Sequence, residues 1–175
     1  MKVYLIRHTS VDVVPGTCYG QTDVPLKDSF EDEAAVSKAR IEGIGFDKVF
    51  TSPLSRCTRL AAFCGYPDAQ RDRRLMELNC GEWEMQRFDD ITDPRIGAWY
   101  NDYMHIPATG GECFLDLYKR VSEFFDELRN CPYENVLIFA HGGVLVCAQA
   151  YGGQITLETG FDALTPYGGM VVIDI

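Results

Sequence analysis

The sequence has few basic residues and very few histidines for its length of 175 residues. It holds 16 Lys and Arg against 26 Asp and Glu, so its formal net charge at pH 7 is -10, and it has only 3 histidines. A chain this acidic repels phosphate, so we expect no nucleic-acid partner and a local basic pocket wherever an anion binds. No apolar run approaches the roughly 20 residues that a membrane-spanning helix needs, so we expect no membrane partner.

Several motifs of phosphate and metal enzymes are also missing. None of the 7 cysteines begins a Cys-x5-Arg phosphatase loop, and there is no P-loop motif for nucleotides. Clustered histidines and carboxylates are absent too, so we expect neither a metal nor a cofactor. The cysteines form no Cys-x-x-Cys pair and the first residues show no signal peptide, which favours reduced thiols and a cytoplasmic location.

Apolar runs alternate with helical patterns along the chain. Strand signals fall at residues 2–7, 47–51, 135–140 and 169–174, with a weaker one near 70–75. Helical signals lie between them. Ser29 with Asp32 predicts a helix start, with helix formers at 31–41. Ser52 is the predicted N-cap of a second helix, with Pro53 at its first position and Gly65 at its end, and further helices are predicted at 114–128 and 142–151. The alternation predicts one α/β domain over 1–175, with a mostly parallel sheet flanked by helices on both faces. The last run is a possible antiparallel edge strand.

Two of the histidines directly follow buried strands. Arg7-His8 ends the run at 3–6, and His141-Gly142-Gly143 ends the run at 136–140. Because ligands bind at the carboxyl ends of strands in open α/β sheets, we expect both imidazoles at one edge. The long irregular stretches 9–28 and 78–111 are expected to be functional loops around that edge.

One arginine and two glutamates elsewhere in the chain are further candidates for the site. Arg56 lies one turn into the helix after Ser52-Pro53, where a helix N-terminus attracts anions. Glu77 and Glu82 stand among apolar neighbours at the start of the second loop, surroundings that suit a general acid. Glu77 is the preferred candidate for this role and Glu82 is its rival.

Taken together, these motifs resemble those of the histidine phosphatase superfamily, the phosphoglycerate-mutase-like fold. The matching motifs are Arg7-His8, Ser52-Pro53-x-x-Arg56, Glu77-x-x-x-Gly81 and His141-Gly142-Gly143. The resemblance spans residues 3 to about 150. Within the superfamily, residues 7–26 and 110–112 are most similar to the α-ribazole phosphatase branch of cobalamin synthesis.

The resemblance implies a metal-independent phosphomonoester hydrolase that acts through a phosphohistidine. It makes His8 the nucleophile, with a backbone carbonyl holding its other ring nitrogen, and Glu77 the acid and then the base. It places Arg7, Arg56 and a protonated His141 around the phosphoryl oxygens. The implied substrate-binding set is Arg7, His8, Gln21, Thr22, Arg56, Glu77, His141 and Gly142.

The chain departs from the family pattern at two positions. Thr9 stands where relatives often have glycine, and Val14 stands where many have an asparagine that faces the phosphate. The Thr22 side chain or the backbone of Gln21 is then expected to supply the missing donor.

Other polar residues of the loops have less specific expectations. Glu84 is expected to anchor a loop, and His105 to be structural or exposed rather than a substrate contact. Glu112 is a candidate ribose contact.

The substrate favoured by the branch resemblance is α-ribazole 5′-phosphate, a small-molecule phosphomonoester. The alternatives are a broad sugar or nucleotide monophosphate phosphatase, a phosphoglycerate mutase-type phosphotransferase and an inactive phosphate-ligand-binding protein. A mutase would have to hold a second acidic group, and the sequence has no evident extra basic segment for it. The oligomeric state stays open.

Overall fold

A five-stranded sheet forms the centre of the computed structural model, which describes residues 1–160, 162 and 164–175. The strand order is β3-β2-β4-β1-β5, and all neighbouring pairs are parallel except β1 with β5. The predicted sheet, including the antiparallel edge strand, is therefore confirmed. The strands are β1 (Lys2–Arg7), β2 (Lys48–Thr51), β3 (Gln70–Arg71), β4 (Asn135–Ala140) and β5 (Met170–Asp174).

Helices cover both faces of this sheet because the central strand is apolar on both sides. The helices are α1 (Phe30–Ile41), α2 (Ser55–Phe63), α3 (Ile96–Asn101), α4 (Phe114–Leu128) and α5 (Gly142–Tyr151). Alternate residues of β4 face opposite ways: Val136 and Ile138 pack in the cluster under α4 and α5, whereas Leu137 and Phe139 pack in the cluster under α1 and α2.

Helix α2 begins later than Ser52-Pro53 predicts, so the expected role of Ser52 as its N-cap is wrong. Leu54 is extended (φ -66°, ψ 139°) and the helix begins at Ser55. The Ser52 hydroxyl instead lies 2.8 Å from the Nε2 atom of His141. The Ser52 side chain therefore contacts a residue far away in the sequence and does not cap α2.

Two other local predictions need correction. The weak strand near 70–75 ends at Arg71, because the Asp72 carboxylate accepts from the backbone N–H of Arg74 and starts a 3-10 turn, Arg73–Leu75. Ser29 precedes α1 as predicted, but its hydroxyl donates to Glu33 rather than pairing with Asp32.

The two long loops lie next to each other at the carboxyl edge of the sheet. An isolated bridge joins Thr17 of the first loop to Arg87 of the second. The second loop has its own small apolar cluster, formed by Trp83, Ile91, Ala108, Phe88, Ile96 and Trp99. Within the described residues, no helix has the length and apolar character to cross a membrane.

Candidate active site

His8 lies buried at the carboxyl end of β1 and is held by its own backbone. Its Nδ1 atom is 2.7 Å from the carbonyl oxygen of Thr9. A carbonyl can only accept, so Nδ1 carries the proton and Nε2 keeps its lone pair. Burial, and then the charges of Arg56 and Arg7, lower the pKa of His8 to about 3. His8 is therefore a neutral imidazole at physiological pH.

His141 follows the neighbouring strand β4, and its ring centroid is 5.2 Å from that of His8. The Nε atom of Arg56 lies 3.2 Å from His141 Nδ1. Arg56 must be the donor of this bond, because a guanidinium is always protonated. The ring proton therefore lies on Nε2 and points to the Ser52 hydroxyl at 2.8 Å. The structure thus indicates the neutral tautomer of His141.

The protonated His141 that the family resemblance implies beside phosphoryl oxygens stays a prediction. In the structure, burial first, and then the charges of Arg56, Arg120 and Arg7, hold the pKa of His141 well below its ordinary value. Each of these effects favours the neutral imidazole, and an anion placed beside His141 would oppose them.

Arg7 adjoins His8 and rests on an aromatic ring from the C-terminal loop. Its Nη1 atom donates to the Thr165 carbonyl at 2.6 Å, and its guanidinium carbon lies 4.1 Å from the ring centroid of Tyr167. Its buried Nε–H has no hydrogen-bond partner among the described residues. One donor of Arg7 is therefore unused within the described residues.

Arg56, on the first turn of α2, is fully buried and joins the first loop to His141. Its terminal nitrogens donate to the carbonyls of Gly20 at 2.6 Å and Thr22 at 2.9 Å. These bonds place the end of the first loop against the two imidazoles, so Arg56 both carries charge and shapes the pocket.

Glu77 reaches the same edge from the second loop and contacts the N-terminus of α5. Its carboxylate accepts from the backbone N–H of Gly143 at 3.2 Å and of Leu78 at 2.9 Å. A Cβ atom on Gly143 would lie only 2.5 Å from Glu77 Oε1. The glycines after His141 are therefore what allow a carboxylate to approach this helix end.

A cavity of about 210 Å³ opens between Arg7 and Glu77. Arg7 is the one basic residue and Glu77 the one acidic residue among the described residues that line it. Gly142 lies in its wall, and the apolar lining includes Leu78, Phe88, Trp99, Phe114 and Leu164. No group of three or more metal-ligating side chains occurs in the part of the chain that the structure describes. The cavity thus offers an apolar, aromatic space beside a cation and a carboxylate.

Two predicted substrate contacts, Gln21 and Thr22, hold loops together in the structure. The Gln21 backbone N–H and the Thr22 hydroxyl both donate to the Glu84 carboxylate, which anchors this loop as expected. The Gln21 side chain donates to the Glu77 carbonyl at 3.0 Å. Val14, at 61% exposure, lies on the surface. The Gln21 N–H and the Thr22 hydroxyl, the donors expected to replace the asparagine of relatives, are thus already bonded to Glu84.

The other loop candidates, like His8, Arg56 and His141, do not line the cavity. The Glu82 side chain is exposed and does not line it, whereas its rival Glu77 does. His105 is exposed and paired with Asp102 at 2.8 Å. Glu112, which directly follows the second loop, forms an ion pair with Arg120 and does not line the cavity.

Sequence reasoning missed several residues that build the site. Tyr19 and Tyr167 cover the two arginines, and Arg120 binds the segment that carries Glu77. In the sequence Arg120 is one more charge on the polar side of a helix, so no local signal distinguishes it.

Comparisons with known proteins agree with the motifs. The family model described as "Histidine phosphatase superfamily (branch 1)" matches residues 3–175. The chain is 31% identical over 153 residues to the adenosylcobalamin/alpha-ribazole phosphatase of Escherichia coli K12, covering 83% of this chain and 75% of that protein. It is 29% identical over 157 residues to a probable phosphoglycerate mutase GpmB of Escherichia coli O1:K1, covering 84% and 72%. The crystal structure of the alpha-ribazole phosphatase from Shigella flexneri superposes with a TM-score of 0.91 at 28% identity, covering 100% of this chain and 91% of that one.

Proposed function

The chain belongs to the histidine phosphatase superfamily, branch 1, and on that premise we propose that it hydrolyses phosphomonoesters through a phosphohistidine formed on His8. The observation that carries the proposal is the state of His8: a neutral ring, anchored at Nδ1, with an unprotonated Nε2 beside two arginines. An imidazole lone pair next to fixed cations suits attack on a phosphoryl dianion.

In the first step, His8 Nε2 forms a bond to phosphorus while the bond from phosphorus to the ester oxygen breaks. Glu77 gives its proton to the departing alkoxide. In the second step, Glu77 takes a proton from water, the resulting hydroxide attacks phosphorus, and the phosphorus–nitrogen bond breaks. Inorganic phosphate leaves, and His8 and Glu77 return to their starting states.

Arg7 and Arg56 stabilise the charge that spreads over the phosphoryl oxygens during both steps. His141 begins as a neutral donor between Arg56 and Ser52. A phosphoryl dianion would offset the cations that now lower the His141 pKa, so substrate binding favours uptake of a proton there.

The apolar cavity supports α-ribazole 5′-phosphate as the substrate. An aromatic base attached to the ribose fits walls such as Phe88, Trp99 and Leu164. The similarity to proteins named alpha-ribazole phosphatases supports the same substrate. Other sugar or nucleotide monophosphates remain the alternative, since specificity on this fold depends on its loops.

A phosphoglycerate mutase activity is the second candidate, because one relative is named as a probable mutase. A mutase has to bind a second anionic group of its substrate. Among the described residues, the cavity lining offers only Arg7, which already faces the phosphoryl position. Hydrolysis is therefore the reaction that this pocket supports better.

Release of phosphate from 4-nitrophenyl phosphate without added metal tests the reaction, with a His8→Ala variant beside the wild type. We expect turnover by the wild type only; equal, slow release by both would overturn the enzyme proposal and favour a phosphate-binding protein. A hydrolysis panel that includes α-ribazole 5′-phosphate tests the substrate. Rapid isomerisation of 3-phosphoglycerate with 2,3-bisphosphoglycerate would instead favour the mutase.

A further inference from the structure

Arg120 is a half-buried cation of α4 that does not line the cavity. We propose that Arg120 is a positioning residue for Glu77, with Glu112 as its counter-ion, and that the pair fixes where the proton donor stands. This inference rests on the proposed function, in which Glu77 protonates the leaving group.

The guanidinium of Arg120 binds the backbone that leads into Glu77. Its Nη1 atom donates to the carbonyls of Arg74 and Met76, each at 2.7 Å, and its Nη2 atom donates to the carbonyl of Glu77 at 2.9 Å. Three carbonyls of one irregular segment therefore share one planar donor. A guanidinium has this fork of N–H groups, and a lysine ammonium lacks it.

Glu112 holds the other edge of the same guanidinium and extends the clamp past Glu77. Its carboxylate accepts from Arg120 Nε at 2.9 Å and Nη2 at 3.0 Å, and also from the backbone N–H of Asn79 at 2.9 Å. All five N–H groups of Arg120 are thus used. The backbone is fixed on both sides of Glu77 by a pair whose side chains are only 16% and 23% exposed.

The segment needs such a clamp because it has no regular structure of its own. It leads from the 3-10 turn Arg73–Leu75 towards the one that begins at Gly81, and the carbonyls of Met76 and Glu77 accept no helix or sheet bond. Helix α4 is a firm support, since Leu117 and Val121, on either side of Arg120, are fully buried. General acid catalysis is sensitive to displacements of about 1 Å, so this support bears directly on Glu77.

Arg120→Lys tests the proposal because it keeps the charge and removes the planar fork. We expect kcat/KM for 2-phenylethyl phosphate, whose alkoxide needs a proton, to fall about 30-fold or more. For 2,4-dinitrophenyl phosphate, whose phenolate leaves unprotonated, we expect a change of less than about 3-fold. kcat/KM is the right quantity because it reports only steps up to departure of the leaving group.

The ratio of the two kcat/KM values separates positioning from a general loss of folded protein. Both substrates are measured on one preparation, so a smaller folded fraction lowers both values equally and leaves the ratio unchanged. Glu112→Gln should move the ratio in the same direction as Arg120→Lys. An unchanged ratio in both variants would overturn the proposal.

Matched variants complete the test. Arg129→Lys removes a guanidinium that lies 4.7 Å from the ring centroid of Tyr151, outside the cavity lining, and should leave the ratio as in the wild type. Glu77→Gln must change the ratio strongly; if it does not, Glu77 is not the acid and the proposed function itself is at fault. In the Glu77→Gln background, adding Arg120→Lys should have no further effect on the ratio, and an additive effect would contradict positioning through Glu77.

Discussion

The phenol oxygens of Tyr19 and Tyr167 lie 3.0 Å apart and join the first loop to the C-terminal loop beside His8. Each ring covers one arginine of the site: Tyr167 lies on Arg7 at 4.1 Å and Tyr19 faces Arg56 at 5.1 Å. Burial raises the pKa of Tyr19, so its hydroxyl keeps its proton at alkaline pH. The two rings thus form a bridge that orients the two arginines that we propose bind the phosphoryl group.

Replacing Tyr167 tests which part of this bridge matters. Tyr167→Ala removes the ring under Arg7, a stacking contact of about 1 kcal/mol, so we expect KM to rise about 5-fold. Tyr167→Phe keeps the ring and loses only a partly exposed hydrogen bond, so its KM should stay close to wild type. Steady-state kinetics with 4-nitrophenyl phosphate measures both; equal KM values for the two variants would exclude a role for stacking.

The buried histidines predict that the protein loses stability in mild acid. The pKa of His8 is about 3 in the folded chain and near 6.5 when unfolded, and that of His141 is lowered in the same direction. The unfolded state therefore binds more protons below pH 6.5, and the stability present above that pH is lost as the pH falls. We expect the free energy of unfolding to drop by about 1–2 kcal/mol between pH 6.5 and pH 5 on account of His8, with a further loss in the same direction from His141.

Urea denaturation at pH 6.5 and pH 5 measures this loss. A His8→Asn variant should lose a smaller amount than the wild type between the two pH values. His105→Asn, at an exposed position, is the matched control for removing a histidine. An equal pH dependence in His8→Asn and the wild type would show that His8 is not buried neutral.

Gly143→Ala should impair the chemistry through Glu77. The added methyl would stand 2.5 Å from Glu77 Oε1 and 3.0 Å from a methyl of Leu117, so the carboxylate has to move. We expect kcat for an alkyl phosphate to fall about 10-fold or more. Gly45→Ala is the control, because a Cβ there meets no atom within 4 Å. A kcat in Gly143→Ala equal to that of the control would show that this close approach is unimportant.

The two histidines should differ when each is replaced by alanine. His8→Ala removes the nucleophile, so no acid-labile, alkali-stable phosphoryl adduct should form. His141→Ala keeps Nε2 of His8 and removes only a ligand of the phosphoryl group, so the adduct should form about 100-fold more slowly. Rapid-quench trapping with radiolabelled substrate measures both, and an adduct at normal rate in His141→Ala would assign that residue a purely structural role.

Much of the fold follows from short-range patterns in the sequence. The fully apolar runs that become β1 and β4 predict buried parallel strands, and their order among helices predicts the layers. The prediction failed where a tertiary contact competes with a local one. Ser52 has the residue type of a helix cap, but its hydroxyl bonds with His141 from another strand.

The sequence by itself determined which chemical groups stand at the strand ends: an imidazole with arginine beside it after β1, and a second imidazole before a glycine pair after β4. Only the tertiary structure decided that these strands are neighbours, which places the two rings 5.2 Å apart. It also decided the burial that lowers the pKa of His141 and the hydrogen bonds between Arg120 and the Glu77 segment. Desolvation and hydrogen bonding depend on groups far apart in the chain, and no local pattern records them.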